Sequence, residues 1–293
     1  MPELPEVETI ARGLAKRVAG DVIESVWLGS KKEPLKSPAS EIARTLEHAR
    51  IVTVRRVGKH IVFDLAPGNE FKTKAAPKST RARRITSHRA SAARKSQWIV
   101  HLGMTGQMLI CTPDSRTDKH THAVAKLASG RELRFVDPRR FGRLSVAKNG
   151  DFTATGQEPL EINADSFATL FRGRKTPIKS ALLNQKLLRG VGNIYADESL
   201  FRAGIRPRRR TASLTRDDLG KLHKAVQRVL REAIALGGSS ISDYVDADGE
   251  EGFFQLKHRV YGREGEPCLR CETPIKRVVI AGRSSHYCPR CQK

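Results

Sequence analysis

The residues most able to do chemistry stand at the amino terminus, where the sequence begins Met1-Pro2-Glu3-Leu4-Pro5-Glu6. If Met1 is removed, the ring nitrogen of Pro2 becomes a free secondary amine, a nucleophile that no internal proline possesses. Amines of this kind form covalent intermediates with electrophilic carbon. The carboxylates of Glu3 and Glu6 lie close by in sequence and are of the type used in general acid–base catalysis.

A second chemical signal lies at the other end, where four cysteines follow the pattern C-x2-C-x16-C-x2-C. The four are Cys268, Cys271, Cys288 and Cys291. This spacing is typical of a zinc ribbon. Four thiolates leave no open coordination position, so we expect one structural zinc ion and exclude a zinc-dependent hydrolase. Residues 275–280 resemble a strand, and the following turn at Gly282 would place Arg283 at the tip of a two-stranded finger.

The charge of the chain predicts a polyanionic partner. Lys and Arg total 54 against 31 acids, which gives a formal net charge of +23. Phosphate contacts dominate nucleic-acid affinity, so this excess favours nucleic acid over a membrane surface or a generally basic background. Residues 72–96 contain nine Lys or Arg and no acid. This segment is either a mobile insertion between two strands or a source of additional non-specific DNA affinity.

The cysteine usage and the hydropathy pattern predict a cytoplasmic protein. Four of the five cysteines have metal spacing and Cys111 stands alone, so a disulfide framework is not expected. The amino terminus is acidic and lacks an apolar run, unlike a secretory signal. No apolar stretch approaches the ~20 residues that span a bilayer, so we expect no membrane association.

Hydrophobic periodicity predicts one helix followed by strands in the first half of the chain. Residues 5–19 carry apolar side chains at helical spacing, with Pro5 suited to the first turn. Several short apolar segments with turn breaks follow and indicate a sandwich or a barrel. The predicted strands are 22–28, 51–65, 98–111, 123–127, 132–136 and 143–147.

The second half is predicted to be helical. Helices are expected over 178–188 and 194–203, and a third opens at the capping box Thr215-x-x-Asp218 and ends at Gly237-Gly238. Between the first two, Gly190 and Gly192 permit a close backbone approach. Asn193 is expected to cap the second helix, whose free N–H groups would then face an anion. A simple helix-packing motif is the alternative explanation of this hairpin.

These motifs converge on a known family. Six segments resemble bacterial formamidopyrimidine-DNA glycosylase: MPELPEVET at 1–9, GKH at 58–60, HLGMTG at 101–106, DPRRFG at 137–142, GVGNIYADESLF at 190–201 and YGREGEPC at 261–268. The resemblance covers nearly the whole chain in order, apart from the basic segment 72–96. It implies an α+β fold with an N-terminal β-sandwich domain (1–150) that carries an N-terminal helix. A helix–two-turn–helix domain (151–262) and a four-cysteine zinc finger (263–293) would follow.

The resemblance also implies an activity. Such an enzyme excises oxidised purines, chiefly 8-oxoguanine and formamidopyrimidines, from damaged double-stranded DNA and then cuts the strand. The N-terminal amine of Pro2 would form an iminium at C1′, and β,δ-elimination would follow. Glu3 would act as general acid/base, Glu6 would orient Pro2 or simply complement the helix dipole, and Lys59 would bind the phosphate beside the lesion.

The same resemblance assigns residues to DNA binding. Met104, Arg139 and Phe141 would fill the space left by the flipped base, since apolar wedges stabilise unstacked steps. The resemblance also places Asn193 and Arg283 on backbone phosphates, with Arg283 expected at the catalytic centre as well. Lys179, at the start of the first helix of the hairpin, and His101 are further expected contacts to DNA. Residues 239–254 match the loop over the damaged base, although their composition diverges. We expect a monomer, because a bent duplex around one asymmetric site requires no symmetry.

Two alternatives remain at the level of sequence. The related endonuclease VIII-like enzymes prefer oxidised pyrimidines, and Leu4 favours the purine branch because the sister enzymes typically carry glycine there. A non-enzymatic damaged-DNA-binding protein would retain the finger and the basic charge without cleaving DNA. The presence of Pro2, Glu3 and Lys59 argues against that second alternative.

Overall fold

A computed structural model describes residues 1–68, 95–150, 152–240, 247 and 249–293. The chain forms two compact units. The helical unit comprises Met1–Ala11, Arg56–His60 and Thr153–Lys293, and the sheet unit comprises Arg12–Arg55 and Ile61–Phe152. The prediction for the basic segment 72–96 lies almost entirely outside the described residues, as does part of the loop predicted over 239–254.

The sheet unit contains most of two four-stranded sheets, as expected for the predicted sandwich. Their strand orders are β1-β6-β7-β5 and β2-β3-β4-β8. The β1–β6, β6–β7, β5–β7 and β4–β8 pairs are antiparallel. The strands are β1 Ile23–Leu28, β2 Ala49–Val57, β3 His60–Pro67, β4 Ser96–His101, β5 Gln107–Cys111, β6 Thr121–Leu127, β7 Glu132–Val136 and β8 Arg143–Lys148.

The predicted strand positions are confirmed, but two of the predicted strands are wrong in length. The segment 51–65 is two strands separated by the turn at Gly58, whose φ is 62°. The segment 98–111 is likewise two strands, broken by the loop that begins at Leu102. In both cases a glycine with positive φ, Gly58 or Gly103, lies at the break. In the first half of the chain, the helix α2 (Ala39–Leu46) was not predicted, because its short apolar stripe consists only of the buried Ile42 and Leu46.

The helical unit is built from the start of α1 (Leu4–Val18) and four further helices. These are α3 Ala164–Phe171, α4 Ile178–Leu183, α5 Asn193–Ala203 and α6 Arg216–Ala235. The predicted helix over residues 5–19 is confirmed, and so is the capping box of Thr215 and Asp218 that opens α6. Leucine, phenylalanine and valine side chains from these helices share one core with Leu4.

Two helix predictions need correction. The helix predicted over 178–188 ends at Leu183, because Asn184 is extended and its side-chain oxygen accepts the Lys186 N–H at 3.0 Å. That local bond offers the backbone an alternative to the helix. The helix α3 was missed, although Asn163 caps it by accepting the Ser166 N–H at 2.8 Å.

The carboxyl-terminal finger has the two strands that were expected. β9 (Lys276–Ile280) pairs antiparallel with β10 (Arg283–Tyr287). Ala281 and Gly282 make the turn with φ values of 47° and 75°, so Arg283 begins β10 beside the tip. Among the residues that the structure describes, none of the helices combines the length and apolar composition needed to cross a membrane.

Candidate functional site

Two buried carboxylates lie at the start of α1, that of Glu3 immediately before the helix and that of Glu6 in its first turn. Glu6 accepts the Glu3 N–H at 2.8 Å on one oxygen. Its other oxygen accepts the Ser239 N–H at 2.8 Å and the Tyr195 hydroxyl. Pro2 is buried at the start of this turn. Glu6 therefore anchors the backbone beside Pro2 from two directions.

Glu3 is placed to hold and release a proton. It is 4 % exposed, and burial raises its pKa to about 7, although the positive charge of Lys59 opposes that rise. One carboxyl oxygen accepts the Ile194 N–H at 3.3 Å, while the other is buried without a hydrogen-bond partner. A carboxyl group that is half-protonated near neutral pH and has one free oxygen suits a general acid.

Lys59 follows Gly58 in the turn between β2 and β3, within the helical unit. Burial lowers its pKa, and the negative charges of Glu3 and Glu6 counteract that effect. The positive charge of Arg283 lowers the same pKa further. These mutual effects place Lys59, both carboxylates and the finger arginine in one electrostatic cluster.

The glycines of the α4–α5 hairpin are required by α1 itself. A side chain at Gly190, where φ is 89°, would meet Leu4 at 2.9 Å, and one at Gly192 would overlap the Glu3 carboxyl group. The Leu4 N–H also donates to the Gly190 carbonyl at 3.0 Å. The predicted close approach is therefore made by the first turn of α1. The predicted cap is wrong by one residue, because Gly192 is the N-cap and Asn193 is the first residue of α5.

Lys179 was predicted to contact DNA, but the structure places it inside the helical unit. Its side chain is 0 % exposed, and its ammonium group lies 2.7 Å from the Asp197 carboxylate. It also donates to the Ser284 carbonyl of β10 at 2.6 Å. Asp197 in turn accepts the His286 N–H at 2.9 Å. This buried pair thus attaches the finger to α4 and α5.

Asn193 and Arg283, the two remaining predicted site residues of this unit, are both associated with the finger strand β10: Asn193 contacts it, and Arg283 is its first residue. Asn193 donates to the Ser284 hydroxyl at 3.4 Å, and the Tyr261 hydroxyl bonds to Asn193 as well. Arg283 is exposed at the start of β10. Pro2, Glu3, Glu6, Lys59, Asn193 and Arg283 are therefore all held by the helical unit.

The four predicted cysteines form a metal site. Their sulfur atoms all lie within 4.8 Å of one another, with separations such as 3.5 Å between Cys271 and Cys288 and 3.9 Å between Cys268 and Cys291. Thiolates at Zn–S distances of about 2.3 Å occupy tetrahedral corners about 3.8 Å apart, so the set fits zinc. The Arg270 and Cys291 N–H groups point at two of the sulfurs. The site is closed by four protein ligands and is structural.

In the sheet unit, three predicted DNA-binding side chains are exposed on two adjoining loops. Met104 is 40 % exposed and Phe141 is 53 % exposed, whereas isolated side chains of these types are usually buried. The Arg139 guanidinium stacks on the Phe141 ring at 5.1 Å. His101 is half-buried, and its Nδ1 accepts the Gly103 N–H at 3.0 Å, a bond that shapes the first loop.

Asp137 fixes these two loops to one another. It is fully buried, and one of its oxygens accepts the Thr105 hydroxyl at 2.6 Å while the other accepts the Gly142 N–H at 2.7 Å. A side chain at Gly103 would meet the backbone of Phe141 at 2.5 Å. Sequence reasoning placed Asp137 inside the DPRRFG motif without giving it a role. The roles of Tyr195, Ser239 and Asp197 were likewise not predicted, because the spacing of residues in a motif does not reveal partners that are distant in sequence.

Comparison with known proteins gives consistent results along the chain. Residues 1–144 match the formamidopyrimidine-DNA glycosylase N-terminal domain, residues 155–245 the H2TH domain of the same enzymes, and residues 265–293 the zinc finger found in FPG and IleRS. A protein of Solibacter usitatus named formamidopyrimidine-DNA glycosylase is 44 % identical over 295 residues, with both chains fully covered.

Solved structures of Lactococcus lactis proteins are also similar over the full length. A point mutant of its FPG, in complex with DNA containing Fapy-dG, has a TM-score of 0.84 and 32 % identity, with both chains covered completely. The wild-type protein in complex with DNA containing an oxidised pyrimidine has a TM-score of 0.83 and 31 % identity, again with complete coverage of both chains.

Proposed function

The chain belongs to the formamidopyrimidine-DNA glycosylase family, and we propose that it excises oxidised purines from duplex DNA with Pro2 as the nucleophile. The observation that carries this proposal is the cluster around Pro2. A potential amine nucleophile, Pro2, is buried next to Glu3, whose pKa is about 7 and whose carboxyl group interacts electrostatically with Lys59.

The proposed first stage replaces the bond between base and sugar with a bond to Pro2. The neutral amine attacks C1′, the glycosidic bond breaks with its electron pair leaving on the base, and the proton released from the amine nitrogen is transferred to the departing base. Protonated Glu3 donates its proton to the ring oxygen as the sugar opens. The product is an iminium that retains its positive charge, because a secondary amine has no second proton to lose.

The proposed second stage cuts the strand. The positive iminium acidifies C2′, so loss of that proton expels the 3′ phosphate and a further elimination expels the 5′ phosphate. Hydrolysis of the remaining iminium returns the free amine of Pro2. Lys59 and Arg283 supply positive charge at this cluster, where it would stabilise the phosphates of the reacting nucleotide.

Recognition of the lesion is assigned to both units. Asn193 and Arg283 would bind backbone phosphates, while the exposed Met104, Arg139 and Phe141 would occupy the space of the flipped base. Arg139 is held over Phe141, which orders its guanidinium for hydrogen bonds to the unpaired base. The proposal includes the domain limits 1–150, 151–262 and 263–293, a monomeric enzyme and a bacterial cytoplasmic location.

Excision of oxidised pyrimidines is a second candidate activity. The wild-type Lactococcus lactis protein was solved with DNA containing an oxidised pyrimidine, and it is 31 % identical to this chain. The purine substrate is preferred because the chain matches proteins named for formamidopyrimidine excision over its full length. Both activities would use the same Pro2 chemistry.

Borohydride reduction tests the proposal on duplexes with 8-oxoguanine opposite cytosine or with an oxidised pyrimidine. We expect a covalent adduct on the purine duplex, which disappears when the amino terminus is acetylated. Pro2→Gly keeps an amine but makes it primary and flexible, so strand cleavage should fall by at least about tenfold while binding of an abasic-site analogue persists. Trapping on the pyrimidine duplex alone would show that the substrate is an oxidised pyrimidine and not an oxidised purine. Unaltered cleavage by the Pro2→Gly variant would remove Pro2 from the mechanism.

Loss of the zinc site is expected to weaken DNA binding through Arg283. Cys288 lies in a small core with Phe201, Val260 and Ile275, so Cys288→Ser should release zinc and unfold the finger. We expect DNA affinity to fall by about tenfold or more, equivalent to about 1.4 kcal/mol. Metal content and affinity are measured together. Cys111→Ser, on strand β5, is the control and should change neither, and a zinc-free protein with full affinity would contradict the prediction.

A further inference from the structure

A basic groove on the helical unit has no part in the proposed reaction. It is a cavity of about 800 Å³ lined by α6, the end of α5 and residues 257–270. None of the residues assigned above to catalysis or DNA contact lines it. The helix α5 connects the candidate site to the groove, because Asn193 stands at its start and Phe201 and Arg202 stand near its end. Phe201 lies eight positions after Asn193, which is about 12 Å along the helix axis.

The charge of the groove is strongly one-sided. Of its 12 lining residues, seven are Lys or Arg and one, Glu232, is acidic. Glu232 is already bound by Arg202 at 2.7 Å and by Arg228 at 2.8 Å. Lys224, Lys257 and Arg259 are exposed along the groove. The groove therefore presents a large net positive charge to an incoming ligand.

The groove also has an apolar floor, and two of its arginines are held in place. Ala225 and Ala235 leave room above α6, and Leu236 is half-buried at its end. The Arg270 guanidinium lies 4.4 Å from the centre of the Phe201 ring. Arg202 is fixed by Glu232. Arginines that are ordered before binding lose less entropy when they meet a carboxylate, which they can grip with two hydrogen bonds.

We propose that this groove binds an acidic peptide segment of a partner protein that carries an apolar side chain among its carboxylates. The carboxylates would meet the lysines and arginines of the rim, and the apolar side chain would pack on Ala235 and Leu236. Duplex DNA fits the groove less well. It is a convex cylinder whose outer rim carries phosphates, so the apolar floor would remain uncovered beneath it.

The test is binding of a fluorescein-labelled decapeptide of aspartates with one central phenylalanine, measured by anisotropy at about 0.15 M salt, where distant charges are screened. The full chain is compared with Lys224→Glu/Arg259→Glu. The matched control, Arg172→Glu/Lys175→Glu, makes the same charge change at exposed positions of the same unit outside the groove. We expect the groove variant to weaken peptide binding by at least tenfold relative to the control, with excision of the oxidised purine unchanged in both.

Three results would overturn the proposal. One is equal loss of peptide binding in the groove variant and the control, which would reduce the effect to net charge. Another is unchanged affinity when the phenylalanine of the peptide is replaced by serine, since the apolar floor would then play no part. The third is selective loss of undamaged duplex binding in the groove variant with peptide binding intact, which would make the groove a DNA surface.

Discussion

Replacing Glu3 with glutamine is expected to slow excision of an oxidised purine by about 10²- to 10⁴-fold, the usual contribution of a positioned general acid. Glutamine preserves the size of the side chain and can still accept the Ile194 N–H, but it has no proton to give to the sugar oxygen. Binding of a duplex with an uncleavable abasic-site analogue should remain within about twofold. Single-turnover rates and equilibrium affinities, measured on the same preparation, separate the two effects.

The pH dependence of excision supplies a second readout. Burial raises the pKa of Glu3 to about 7, so its proton is present below that pH and is lost as the pH rises through it. The wild-type rate should therefore decline on the alkaline side as the general acid disappears. Glu3→Gln should lose that decline, because its side chain does not titrate. The shape of the profile thus identifies Glu3 independently of the size of the rate loss.

The same carboxyl group is expected to cost stability. Its pKa is about 7 in the folded chain against 4.5 ordinarily, so folding is penalised progressively as the pH rises from 4.5 to 7 and fully above. Such a shift corresponds to about 3 kcal/mol. Glu3→Gln should accordingly raise the free energy of unfolding at pH 8 by an amount of that order, and the gain should vanish near pH 4.5. Urea unfolding at the two pH values measures it.

An exposed carboxyl group of the same unit provides the control. Glu161→Gln changes the charge equally but lies at the surface, so neither rate nor stability should shift measurably. A Glu3→Gln variant that is slow and also unstable at pH 8 would indicate misfolding. A variant that is fully active would remove Glu3 from proton transfer.

Local signals in the sequence were sufficient for most of the fold. The helix predicted over 5–19 agrees with the observed Leu4–Val18 to within one residue at each end. It was predictable because its apolar spacing is regular and a proline stands in its first turn. The finger was equally predictable from the sequence, because the cysteine spacing indicates both the metal site and the two strands. The helix predicted over 178–188 ran too long because its leucines continue the helical period past Asn184, whose own side chain bonds to the backbone.

The site was only partly predictable, for a different physical reason. Glu3 and Lys59 were predicted because each stands in a segment that resembles the family, and Arg283 was predicted because the cysteine spacing places it at the tip of the finger. Their environment depends on partners far along the chain, such as Tyr195 and Ser239 on Glu6. The glycines at 190 and 192 illustrate the limit. Their freedom was evident from the residue type, but only the structure shows that Leu4 and the Glu3 carboxyl group occupy the space.

Replacing Lys179 with methionine is expected to destabilise the helical unit by about 3–5 kcal/mol, the usual cost of breaking a buried ion pair from one side. The substitution leaves the Asp197 carboxylate, which is 0 % exposed, without its cation. It also removes the hydrogen bond to the Ser284 carbonyl, next to Arg283. We therefore propose that Lys179 positions the finger strand instead of contacting phosphate. Urea unfolding reports the stability, and DNA affinity reports the position of Arg283.

A double substitution distinguishes the ion pair from a simple packing defect. Lys179→Met/Asp197→Asn removes both charges, while asparagine retains an oxygen that can accept the His286 N–H. Because no unpaired charge is then buried, we expect it to recover about 2 kcal/mol relative to Lys179→Met, within the range of coupling between contacting residues.

The exposed pair of Arg216 and Asp165 gives the matched comparison, since both side chains are largely in solvent. Arg216→Met should cost no more than about 1 kcal/mol. The ion-pair interpretation fails if the double variant is as unstable as Lys179→Met, because packing alone would then explain the loss. The positioning role fails if Lys179→Met loses stability but binds DNA at full affinity at a temperature where it is folded. The two ion pairs, Lys179–Asp197 and Arg216–Asp165, differ in burial. When its cation is removed, the exposed Asp165 carboxylate can be solvated by water, whereas the buried Asp197 carboxylate cannot.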